Sequence, residues 1–190
     1  MSKTLSSKTF LLTTVLTLTA VLFPSTAARA QAVGEQSGAL IAQFKSPDHR
    51  VQAVAFSPDG RLLAAGYGFY DDGGVTIWRV ADRASVATPF ARVRSKAGVS
   101  KVAFSPDGKL FAAATDRGDV LLWTVGSWRS PKTLLMKRGD TTDLSFSPDG
   151  ATLAYSSDKA AILYDLASGR ASVIAGGDGH RDSFNGISFS

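Results

Sequence analysis

The chain of 190 residues contains no cysteine. That absence excludes disulfides, thiolate metal sites, thiol catalysis and lipid attachment through sulfur. If the chain is exported, burial and hydrogen bonding alone must hold it together. Glutamate is almost missing, with Glu35 the single example, and the other acids are all Asp. A pair of acids at the fixed separation of a glycosidase has little to draw on, since the Asp stand mostly in turns. His49 and His180 are the only two histidines, far apart in the chain and each in a loop before a strand, where structural or solvent-facing roles are expected. There is no Gly-x-Ser-x-Gly elbow, no His-Glu-x-x-His and no Gly-rich phosphate loop opening a helix. Asp71-Asp72-Gly73-Gly74 lacks the further ligands of a calcium loop and reads as a hairpin. No enzyme activity, metal or cofactor is expected.

Positive charge is present, but most of the excess sits at one end. The formal charge is +5, yet Lys3, Lys8 and Arg29 fall in the first 30 residues, which hold no acid. Removing them leaves 18 basic against 16 acidic residues, a net +2. That balance gives no footprint for nucleic acid. Residues 1–30 read as a signal peptide: Lys3 and Lys8, an apolar run from Phe10 to Phe23, Pro24, then Ala28-Arg29-Ala30 around a cut site. The run of 14 residues is short of the roughly 20 needed to span a bilayer. Cleavage leaves Gln31 first and no membrane span, so the expected location is periplasmic or extracellular. Residues 31–38 form a short linker.

What dominates the remainder is a repeat. Val54-Ala55-Phe56-Ser57-Pro58-Asp59-Gly60 returns at Val102 to Gly108 and at Leu144 to Gly150, and a fourth copy starts at Ile187 to Ser190. The Phe-Ser pairs begin at 56, 104, 146 and 189, a spacing of 42 to 48 residues. Such a period marks stacked units that do not fold singly. Within each unit an apolar strand runs into the Ser-Pro-Asp-Gly turn, where Pro sets φ, Asp bonds nearby backbone and Gly accepts positive φ. A small-residue strand follows, then a hairpin, then a strand ending in Trp78, Trp123 or Tyr164. Expected strands lie over 51–56, 61–67, 75–80 and 84–90 in the first unit. In the second they lie near 98–104, 109–115, 119–125 and 132–136, and in the third near 141–146, 151–156, 160–166 and 171–175. The run from Val51 to Phe56 predicts a strand buried on both faces. No helical period is seen after residue 30.

These residues resemble the WD-repeat (WD40) family over 39–190. Tyr164-Asp165 stands where that family has Trp-Asp, while Trp78-Arg79 and Trp123-Thr124 keep the aromatic and lose the acid. The resemblance implies an all-β fold of four-stranded propeller blades around a channel. Three complete blades are expected (about 50–90, 98–136 and 141–175), plus a partial fourth at 184–190. It also implies a polar brace per blade, to which Asp72, Asp158, His49 and His180 correspond by position. The second blade has Arg117 at the Asp position, so the brace is partial. The three aromatics are expected in the core.

The function implied is a non-enzymatic, protein-binding scaffold. The alternative is a lid or accessory propeller of a larger periplasmic enzyme or Tol-like assembly, since such propellers share the Ser-Pro-Asp-Gly turn. Charges on the rim formed by the loops into each first strand and the hairpins between second and third strands balance as a whole, ten basic against ten acidic, but the loop from Ala91 to Gly98 stands apart. There Arg92, Arg94 and Lys96 stand with no acid, and this loop is the candidate dock for an acidic partner. Three blades and a strand do not close a ring of the usual 4–8 blades. Ala39 to Phe44 is expected as a brief strand without a complete blade to join, and 184–189 as a strand without its hairpin. Open edges of that kind favour self-association, so the chain is expected to be a fragment or to assemble with another copy.

Overall fold

The computed structural model describes residues 42–44, 50–69, 72–89, 97–135, 141, 143–157, 160–175 and 186–189. The leader and the linker lie outside these residues. Contacts divide the chain into two units, Met1–Asp48 and His49–Ser190, and every strand belongs to the second.

Among the described residues twelve strands make three antiparallel sheets of four. The first holds β1 (Val51–Phe56), β2 (Leu62–Phe69), β3 (Asp72–Arg79) and β4 (Ser85–Ala87), hydrogen-bonded in that order. The second holds β5 (Val99–Phe104), β6 (Leu110–Thr115), β7 (Val120–Thr124) and β8 (Ser127–Leu135). The third holds β9 (Leu144–Phe146), β10 (Thr152–Ser157), β11 (Ala160–Asp165) and β12 (Ala171–Ala175). Each is a meander, as the all-β blade reading requires.

Period-2 alternation decides how the sheets stack. In the middle sheet Phe111, Ala113, Leu121 and Trp123 point one way and join Ala64, Val75 and Ile77 of the first sheet. Ala112, Ala114, Val120 and Leu122 point the other way and join Leu144, Leu153, Tyr155, Ile162 and Tyr164 of the third. The middle sheet is therefore buried on both faces, which is why β6 and β7 read as continuous apolar runs. Its alanines let the neighbours approach, and the larger residues fill the seams. Phe111 is the packing centre, with ring centroids 5.0 Å from Phe104 and 5.8 Å from Trp123. Fully burying a side chain of this size contributes about 1.5–3 kcal/mol.

Several boundaries differ from expectation. β1 is only half-buried: among the described residues it pairs with β2 alone, Gln52 is exposed and Phe56 is 40% exposed. β4 is short, ending before Pro89. β8 starts at Ser127 rather than near 132, because Val125 and Gly126 (φ 88°) form a tight turn directly after β7. Thr124 pairs with Ser127 and Leu122 with Lys132, so Trp128 to Pro131 bulge opposite Trp123. A bulge on an edge strand tolerates Pro131, whose ring offers no N–H. At the ends, residues 42–44 and 186–189 carry no strand, so the strands expected there are not formed by their described parts. Residues 39–41, 184 and 185 lie outside the described set.

Candidate interaction surfaces

One end of the sheets is built from the repeated turn, and its chemistry is the same three times. The Ser105 N–H donates to the Leu110 carbonyl and the Leu110 N–H donates to Ser105 Oγ, both at 2.9 Å. Ser105 Oγ–H donates to Asp107 Oδ1 at 2.6 Å, which also accepts the Lys109 N–H at 3.0 Å. Ser57 with Asp59 and Ser147 with Asp149 repeat the pattern at 2.6 and 2.5 Å. The Ser hydroxyl, then the backbone N–H, hold all three carboxyls below the usual range, Asp107 to about 2. Gly60, Gly108 and Gly150 each take φ of 70°. The turns also touch one another: a Cβ on Gly108 would sit 3.4 Å from the Pro58 ring, and one on Gly150 3.7 Å from Pro106. The tetrad thus shapes its own turn and seats the neighbouring one.

The opposite rim is tied across the sheets. Ala97 and Gly98, which lead into β5, are buried, and a Cβ on Gly73 of β3 would run into the Ala97 carbonyl. Gly98 O accepts the Asp116 N–H at 3.0 Å. Ser100 Oγ–H donates to the Thr141 carbonyl at 2.6 Å, linking β5 to the approach to β9. Beside it Lys101 Nζ lies 2.9 Å from Asp143 Oδ1. Asp143 Oδ2 accepts the Ile187 N–H at 2.9 Å. One carboxylate, its side chain 13% exposed, therefore joins the second sheet, the third sheet and the start of the fourth unit.

Arg92, Arg94 and Lys96 lie outside the described residues, as do His49, His180, Asp71 and Asp158. Only the base of that basic loop, Ala97 and Gly98, is described, and it is fixed. Trp78, Trp123 and Tyr164 are buried in the sheets, as expected of core aromatics. The Lys101–Asp143 pair was not singled out from the sequence, although a signal existed. Both residues stand three places before the repeated Phe, so opposite charges occupy one register position in successive inner strands. Trp128 was also missed, since its place between β7 and the expected fourth strand hid it.

Three adjacent four-stranded meanders, each opened by the same turn, define a protein of propeller-type blades. The profile of the family described as "WD domain, G-beta repeat" matches residues 38–79, 89–124 and 131–165, more than half of the chain. The chain belongs to the WD40 family. The second match begins just after the outer strand of the first sheet and the third inside the outer strand of the second, and both end with the third strand of the next sheet. The family's sequence unit is thus offset by one strand from the structural blade. No curated protein matches the chain. Among the described residues no helix is long and apolar enough to cross a membrane.

Proposed function

We propose that this chain is an exported, non-enzymatic WD40 scaffold that binds a protein partner through its loop rim. WD40 repeats suggest protein binding in general. The observation that carries the reading here is the cross-sheet tying of the rim. Ala97 against Gly73, Ser100 to Thr141 and Lys101 to Asp143 fix the bases from which loops project. Recognition by loops on a fixed frame costs little ordering on binding. Arg92, Arg94 and Lys96 make the loop before Ala97 the dock for an acidic partner surface. The signal-peptide pattern of residues 1–30 supports action outside the cytoplasm, in the periplasm or the extracellular space.

Photo-crosslinking in the producing cell tests this. A crosslinkable residue at Ser95 is expected to give one discrete protein adduct, from a chain whose N-terminus is Gln31. Probes on the exposed turn residues Asp59 and Asp107 at the other end are expected to give none. Adducts of equal yield from both ends, or a chain retaining Met1, would contradict the proposal.

A further inference from the structure

The seam between the first two sheets is open on its outer side. A groove of about 520 Å³ lies there, lined chiefly by Val86, Ala87 and Pro89 on one wall and Gly126, Trp128 and Arg129 on the other. That volume lies within the range of about 300–1,000 Å³ common for ligand clefts.

The repeat provides its own comparison. With Trp78 and Trp123 aligned, Ile77 corresponds to Leu122. Ile77 pairs with Ala87, and Leu122 pairs with Lys132. Ala87 therefore stands where the second sheet has Lys132. In the next seam Lys132 Nζ lies 5.4 Å from the centre of the Tyr164 ring, with Gly169 beside both. There a long side chain reaches across to the neighbouring sheet. In the first seam a methyl group replaces it, and the β7–β8 turn through Val125 and Gly126 is too tight to close the gap.

The groove's walls are suited to a particular kind of occupant. The Trp128 ring is fixed edge-on against Phe111, with centroids 5.9 Å apart and planes at 77°. A rigid aromatic is the commonest type of binding anchor, because holding it costs little entropy. Arg129 is the one charged lining residue, is exposed, and has no ion pair among the described residues. Val86 is 36% exposed. β4 is the outer strand of its sheet, so the far edge of its backbone pairs with no strand among the described residues. An edge of that kind accepts an added strand.

We infer that this groove receives an extended acidic segment of a protein partner. The segment's backbone adds along β4, an apolar side chain covers Trp128 and Val86, and a carboxylate meets the Arg129 guanidinium. The inference rests on the scaffold reading and names the kind of partner.

The test uses the full chain and a displayed library of random short peptides. Enriched peptides are expected to place an Asp or Glu close to a large apolar side chain. A synthetic copy of the most enriched peptide should bind Trp128→Ala and Ala87→Lys at least about tenfold more weakly than the natural chain. Ala87→Lys reproduces the long side chain seen in the next seam and leaves Trp128 and Arg129 in place. Arg129→Glu should weaken the acidic peptide and strengthen a copy with Lys for the acid, a reversal that misfolding does not produce. Enriched peptides that bind all three variants as tightly as the natural chain would overturn the groove while leaving the scaffold reading standing. No enrichment at all would also overturn the groove, and the scaffold reading then rests on the crosslinking result.

Discussion

Ser105 is almost fully buried and closes its turn with backbone bonds to Leu110 and Gly108 and a hydroxyl bond to Asp107. Replacing it with Ala leaves the Leu110 N–H without its side-chain acceptor, at a cost of about 1–2 kcal/mol. Thermal unfolding followed by circular dichroism is expected to show the loss as a lower Tm. The same bonds set a pH dependence. A carboxyl held below its ordinary value stabilises the fold fully above about pH 4, and the stabilisation is lost as pH falls toward the folded value. For Asp107 that value is about 2, so the natural chain should lose Tm between about pH 4 and pH 2. Ser105→Ala should show a smaller decline that ends at higher pH, because the folded value moves back toward the unfolded one, and identical pH profiles would contradict the assignment. Arg83 is the second residue-scale case. It takes φ of 59° in the β3–β4 turn, where the matching place in the third sheet holds Gly169 at 70°. The backbone bonds agree: Arg79 N–H to Ala84 O in one, Asp165 N–H to Arg170 O in the other. A left-handed conformation strains a residue with a Cβ, so Arg83→Gly should raise stability by about 0.5–1 kcal/mol after Gly's own entropy cost. Denaturant titration checks this, and an unchanged or lower midpoint would contradict it.

At the scale of strands, most of the fold was legible because three copies of one pattern corrected one another. The Ser-Pro-Asp-Gly turns, the small-residue second strands and the aromatic ends of the third strands lie where the repeat put them, but Asp72, Gly73 and Gly74, expected in a hairpin turn, stand in β3 opposite Phe69, Gly68 and Tyr67. The outer strands were harder to read. Thr124-Val125-Gly126-Ser127 has no Asn-Gly or Asp-Gly to mark a hairpin, and Pro131 argued against a strand that the bulge tolerates. Val51 to Phe56 was read as buried on both faces because an apolar run carries no label for a sheet edge. The rim ties were illegible for a different reason. They join residues about one repeat apart, and nothing local in Ser100 or Lys101 announces Thr141 or Asp143. The Asp143 junction gives a prediction at this scale. Asp143→Ala should lower stability by about 1–2 kcal/mol, discounted because Lys101 is 44% exposed. It should also speed amide exchange at Ile187, whose N–H loses its acceptor. Lys101→Met should leave Ile187 protected, since Oδ2 still accepts its bond. Equal protection in the natural chain and Asp143→Ala would remove the junction from the account.

Across the described residues, the middle sheet buries one face against each of its neighbours, so the stack sets the spacing of everything displayed on its rims. The family and the blade architecture could be read before any coordinates, because a four-stranded blade is a sequence pattern. The binding surfaces could not, because a groove depends on what a neighbouring sheet lacks, as Ala87 shows beside Lys132. The central claim is that this frame presents a basic loop to an acidic protein surface. The most direct measurement is the affinity of the crosslinked partner for the natural chain and for a chain with Arg92, Arg94 and Lys96 all changed to Ala, each over a series of salt concentrations. The account predicts that the natural chain binds less tightly as salt rises, and that the triple variant binds at least about tenfold more weakly at low salt with a flatter dependence. Equal affinities and equal salt slopes in the two chains would contradict it.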